Sequence, residues 1–218
     1  MSVRIARVTG LLYLGLAAGG ALGFLTIRPA LFVAGDPAAT LSRLTADPGL
    51  ARLGVSLELF TVLTQALAAA GFYRLFHRAD RFTAAGVAAF GLVNAVVVLV
   101  SAALLGAALQ VGPDAAAVQT LYLISGQLWE VGGLFFGLWL IPMGLWVLRS
   151  ALMPRALGWV LVAGGVGYVV SAFVGALLPS AGVVADLLVV PATVGEFWMI
   201  GYLLILGVRP APSPAPAS

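Results

Sequence analysis

Six apolar runs of about twenty residues or more, almost free of charge, constrain this chain more than any other feature. They cover Val8–Ile27, Leu50–Tyr73, Thr83–Leu109, Leu121–Leu148, Ala156–Leu178 and Val183–Gly207. A bilayer hydrocarbon core of about 30 Å takes about 20 apolar residues as a helix. Lipid offers no partner to an open backbone, so each run must pair its own N–H and C=O groups. The runs are continuous and do not alternate, which favours helices over a barrel. The expectation is an all-α integral membrane bundle of six transmembrane helices. It would form a single domain over residues 1–208, with a Pro/Ala-rich disordered cytoplasmic tail over 209–218.

Composition narrows the chemistry. The chain is 62% hydrophobic and 9% charged, against about 45–50% and about 25% in soluble domains. That excludes a soluble fold, a disordered chain and a nucleic-acid-binding domain. There is no Cys and no Lys, and His77 is the single His. Thiol redox centres, Schiff-base cofactors, P-loops and His-ligated haem or zinc therefore lack their ligands. No cofactor is expected.

The arginines set an orientation. Arg4, Arg7, Arg74, Arg78, Arg81, Arg149, Arg155 and Arg209 fall on one side of the predicted spans. Arg28, Arg43 and Arg52 fall on the other. This bias places both termini in the cytoplasm. The first run is longer than a usual signal-peptide core and is expected to be a retained helix. Between the first two spans, Asp36-Pro37 and Asp47-Pro48 each offer an N-cap followed by Pro at the first helical position. The first predicts a short interfacial helix near Ala38–Ala46, and the second opens span two. Gly15, Gly19 and Gly23 form a small-residue ridge, either for packing within the chain or as a homodimer seam. Pro142 and Pro191 lie inside spans four and six and can kink them.

Candidate chemistry is carried by Glu58, Glu130 and Glu196, inside spans two, four and six. They sit at similar depth, and a carboxylate facing lipid costs about 2.5–3.5 kcal/mol on insertion scales. All three are therefore expected to face inward. Thr61 and Gln65 share the helical face of Glu58, and Gln127 precedes Glu130 by three residues. Asn94, Ser101, Tyr168 and Ser171 supply polar groups on spans three and five. No basic residue is expected within a span. Arg28 and Arg52, near the outer boundary, are the only plausible cationic partners of the three glutamates, and Arg52 is poorly placed to pair with Glu58. The ligand- or ion-binding candidates are Glu58, Glu130, Glu196, Gln127, Asn94, Tyr168 and Ser171. Three gathered carboxylates would suit Ca²⁺, Mg²⁺ or Mn²⁺.

Several short stretches together resemble a known family. They are Arg7-Val-Thr-Gly-Leu-Leu-Tyr-Leu14, Phe135-Phe-Gly-Leu138, Leu152-Met-Pro-Arg-Ala-Leu-Gly158, Gly165-Val-Gly-Tyr168 and Pro191-Ala-Thr-Val-Gly-Glu196. The chain resembles the bacterial domain-of-unknown-function family 4386, small membrane proteins of about six spans. The resemblance implies a six-helix fold and a bacterial inner-membrane location, and it supplies no catalytic residues. The expected function is non-enzymatic: a carboxylate-lined intramembrane pocket that binds or moves a small cation, a proton or a polar-headed amphiphile. The alternatives are a structural or regulatory subunit whose Glu residues only bridge helices and, third, a lipid-modifying enzyme.

Overall fold

The computed structural model describes residues 3–150 and 152–208, and the expected tail lies outside them. The described residues form seven α-helical elements, a short 3-10 turn at Pro179–Ala181 and no strand. They are α1 (Val3–Leu31), α2 (Pro37–Ala46), α3 (Pro48–Phe76), α4 (Arg81–Ala108), α5 (Ala115–Ser150), α6 (Arg155–Leu177) and α7 (Gly182–Ile205). All except α2 are long and apolar enough to cross a membrane.

Four aspartates start four of these helices in the same way. Asp36, Asp47, Asp80 and Asp114 accept the backbone N–H of Ala39, Leu50, Thr83 and Ala117, at 2.9, 2.8, 3.0 and 3.0 Å. Each bond satisfies one of the orphan donors that every helix start exposes. The short helix and the start of the second span thus follow from Asp-Pro, as the sequence implies. Gly112 closes the turn before Asp114 at φ 71°, a conformation that glycine adopts without steric penalty. Pro142 and Pro191 both lie inside continuous helices.

The first span differs from its expected extent. Helix runs on past Ile27 to Leu31, through a π-helical stretch over Ala21–Ile27. The Arg28 N–H bonds to the Gly23 carbonyl, five residues back. Arg28 is therefore part of a spanning helix and not of the loop. Arg43 on α2 caps that helix end by donating to the Pro29 and Ala30 carbonyls at 3.3 and 3.4 Å.

The chain packs as two units. One comprises Leu12–Ala69 and Ala89–Phe136. Its apolar centre includes Leu31, Leu44, Ala51, Leu105, Val118 and Tyr122. Here the glycine ridge of α1 faces α3: a Cβ on Gly15 would stand 2.9 Å from Thr64, and one on Gly19 would stand 2.7 Å from Thr61. These contacts support the reading of the ridge as packing within the chain.

The other unit is drawn from Met1–Leu11, Ala70–Ala88 and Gly137–Ser218. Its core is aromatic and tight. Phe76 stacks on Trp146 with ring centroids 3.9 Å apart, and Trp146 donates its indole N–H to the Phe76 carbonyl at 3.1 Å. Glycines bring helix backbones together: a Cβ on Gly144 would meet the Gly158 carbonyl oxygen at 2.6 Å. Close van der Waals approach of this kind drives helix association in lipid, where apolar burial drives none.

Candidate functional site

The polar chemistry of the 12–69/89–136 unit converges on Arg28 and Glu58. Glu58 is 4% exposed, although it lies in an apolar helix. The Arg28 guanidinium comes to 3.9 Å from its carboxylate. Arg28 also donates to the Tyr122 carbonyl at 2.9 Å and to the Ser125 hydroxyl. Its guanidinium carbon lies over the Phe24 and Tyr122 rings, 5.3 and 5.9 Å from their centroids. That geometry adds cation–π attraction. Trp129 donates its indole N–H to Glu58 at 3.0 Å, and the Ser101 hydroxyl faces the same carboxylate. Ser101 and Ser125 share a hydrogen bond of 2.7 Å in which either oxygen can be the donor.

Helix register explains the convergence. Glu58 lies roughly 15 Å along α3 from its start, Ser125 roughly 15 Å along α5 and Ser101 roughly 11 Å back from the end of α4. The π-helical stretch that precedes Arg28 completes the set from α1. Such stretches recur at functional sites.

Polar contacts continue along the unit on both sides of this pair. Towards α2, the buried Thr40 hydroxyl donates to Gln119 at 2.8 Å, and Gln119 donates to the Val33 carbonyl at 3.1 Å. Deeper in, Asn94 donates to Gln65 at 2.9 Å, with both side chains fully buried. In this unit, four buried side-chain polar atoms have no hydrogen-bond partner among the described residues: Arg28 Nε, Glu58 Oε2, Gln65 Nε2 and Asn94 Oδ1. They form two donor–acceptor sets, one in the ion pair and one in the amide pair. A cavity of about 10 Å³ is lined by Arg28, Glu58, Gly23, Gly54, Leu105 and Tyr122, among others. Its volume matches about one water molecule.

The sequence-predicted residues separate. Glu58 and Asn94 lie in this polar network. Glu130 and Gln127 are exposed, so the expectation that all three glutamates face inward is corrected. The buried face of α5 is set by Tyr122, Ser125 and Gly132, and it turns Gln127 and Glu130 outward. Glu196 is half-buried in the other unit, with Tyr168 close enough to feel its charge. The Ser171 hydroxyl donates to the Tyr168 carbonyl at 3.0 Å, a bond within its own helix. Among the described residues, no three His, Cys, Asp or Glu side chains are grouped to hold a metal ion. The expectation of no base within a span is also corrected by Arg28. Sequence reasoning named Arg28 as a plausible cationic partner but placed it outside the span, and it missed Ser125 and Trp129. The available signal was that Arg28 follows the first apolar run without a break.

Six membrane-length helices, one of them carrying a partly buried arginine beside a buried glutamate, define the class as a multi-span membrane protein. The match to a family model is direct: residues 8–207 fit the domain of unknown function DUF4386, and the chain belongs to that family. No curated protein and no solved structure matches it.

Proposed function

We propose that this is a non-enzymatic membrane protein whose Arg28–Glu58 site takes up and passes on a proton. The proposal includes both termini in the cytoplasm of a bacterial inner membrane, as the arginine distribution supports. The observation that carries it is a buried carboxylate facing a partly buried guanidinium, held among hydroxyls and an indole, beside a cavity of about 10 Å³. That volume suits a water. A solvated metal ion is disfavoured, because Arg28 already supplies the positive charge.

Protonation of Glu58 would remove the counter-charge of Arg28 and leave the pair with one net positive charge. Intramembrane ionisable residues mark such relays by default. The Ser101–Ser125 bond can reverse its donor and acceptor, which suits a hydroxyl pair beside a titrating group. Two further buried polar pairs, Thr40–Gln119 and Asn94–Gln65, lie in the same unit.

The test is proton movement into proteoliposomes that contain a trapped pH dye, under an imposed membrane potential. Wild-type protein should acidify the lumen, and Glu58→Gln should not. Equal acidification by both would overturn the reading. A structural role is the second reading, favoured by the way Arg28 ties α1 to α5 and approaches α3. It predicts no flux by wild type and a loss of thermal stability in Glu58→Gln.

A further inference from the structure

Gln127 and Glu130 present a different problem from the buried pair. Both lie on the exposed face of α5, well inside a membrane-length helix. Neither has a hydrogen-bond or ion-pair partner among the described residues. Their neighbours on that face are apolar: Leu123, Ile124 and Val131 are 49%, 46% and 58% exposed. A carboxylate and an amide set among such residues would meet lipid tails, which offer no hydrogen bond. Gln127 lies roughly 18 Å and Glu130 roughly 23 Å from the start of α5, within its apolar run.

We infer that this face of α5 is an interface between two copies of the chain, with Gln127 and Glu130 of one copy bonded to Glu130 and Gln127 of the other. The chemistry is self-complementary. A carboxylate accepts from the amide N–H, and a carboxylic acid donates to the amide carbonyl, so the pair matches in either protonation state. Two copies inserted the same way are related by a two-fold axis along the membrane normal, which sets their α5 helices parallel. Residues one turn apart then contact each other reciprocally across the axis, as an isologous interface requires. Long side chains bridge the roughly 4.5 Å offset in height between positions three apart. Interhelical bonds between polar side chains are a recognised source of association in lipid. The interface is independent of proton movement at Glu58.

The chain has no Cys, so single cysteines report without background. Ile124→Cys and Val131→Cys flank the polar pair and leave it intact. Leu99→Cys lies on an exposed face of α4. Each full-length variant is reconstituted in liposomes at high lipid-to-protein ratio and oxidised with copper phenanthroline. The expected result is a disulfide-linked dimer from at least one of the two α5 positions and monomer from Leu99→Cys. Adding Gln127→Leu and Glu130→Leu should abolish that dimer while the unfolding temperature holds or rises, because both residues leave lipid contact. Monomer at both α5 positions would overturn the inference, as would equal cross-linking at Leu99. Persistence of the dimer in the doubly substituted chain would overturn it as well.

Discussion

The two units of this protein fill the space between their helices with different side chains. Buried polar residues concentrate in the 12–69/89–136 unit: Thr40, Glu58, Thr61, Thr64, Gln65, Asn94, Ser101, Gln119 and Ser125. The other unit buries only Thr9 and Thr83 among the described residues. Large buried side chains divide the other way. Trp139, Trp146, Phe72, Phe76, Met143 and Met199 belong to the second unit, and Tyr13 alone represents the first among the largest fully buried side chains. Both units bring helices together through glycines. The second adds large apolar side chains, and the first also accepts the desolvation of polar groups. The polar unit is thus where a functional explanation is required.

The comparison breaks most sharply at Arg28. Arg28→Leu leaves Glu58 buried without its counter-charge and should cost about 3–5 kcal/mol. Chemical unfolding in detergent would measure it, and a loss under 1 kcal/mol would mean the pair is not coupled. Trp129→Phe removes a hydrogen bond to a carboxylate, worth about 1.5–3 kcal/mol. The same assay should show a smaller loss than for Arg28→Leu.

In the tightly packed unit the equivalent probe is steric. Gly144→Ala places a methyl group 2.6 Å from the Gly158 carbonyl oxygen, and overpacking of this kind costs about 1–3 kcal/mol. Its effect should register as a lower unfolding temperature with proton movement by the remaining folded protein unchanged. A selective loss of proton movement would break the division of labour between the units.

The smallest effect is expected at the loop before α4. Asp80 accepts from the Thr83 hydroxyl and amide and pairs with Arg149 at 3.2 Å. The Thr83 bonds first, and Arg149 after them, hold its carboxyl below the ordinary aspartate value. A depressed folded-state pKa contributes stability above the unfolded pKa, and that contribution is lost as pH falls through the folded value. Wild type should therefore lose slightly more stability than Asp80→Asn on acidification below the ordinary aspartate range. Parallel pH profiles for the two would show that the Asp80 bonds add nothing.

Much of this architecture is legible in the sequence. The six spans follow from hydropathy, and the α2 and α3 starts follow from Asp-Pro. Glu58 with Gln65 on one face follows from helical spacing. Arg28 is legible as a candidate partner but not as part of a span, because a charge normally ends an apolar run. Only a partner on another helix makes its burial tolerable, and one chain segment cannot reveal that partner. Glu130 shows the complementary difficulty. Its polarity suggested an inward side chain, but the register of α5 is fixed by what packs beneath Tyr122, Ser125 and Gly132. Ser125 and Trp129 carry no distinctive spacing, and their roles come from proximity to Glu58.

The central claim is that Arg28 and Glu58 act as one coupled unit inside a membrane helix bundle. A double-mutant cycle of Arg28→Leu, Glu58→Leu and the combined variant, read by unfolding free energy in one detergent, tests it most directly. The account predicts two damaging single substitutions and a double variant that recovers most or all of the loss, since an apolar pair can replace a buried ion pair at little cost. Additive losses would contradict it, showing two independent residues where the account requires a pair.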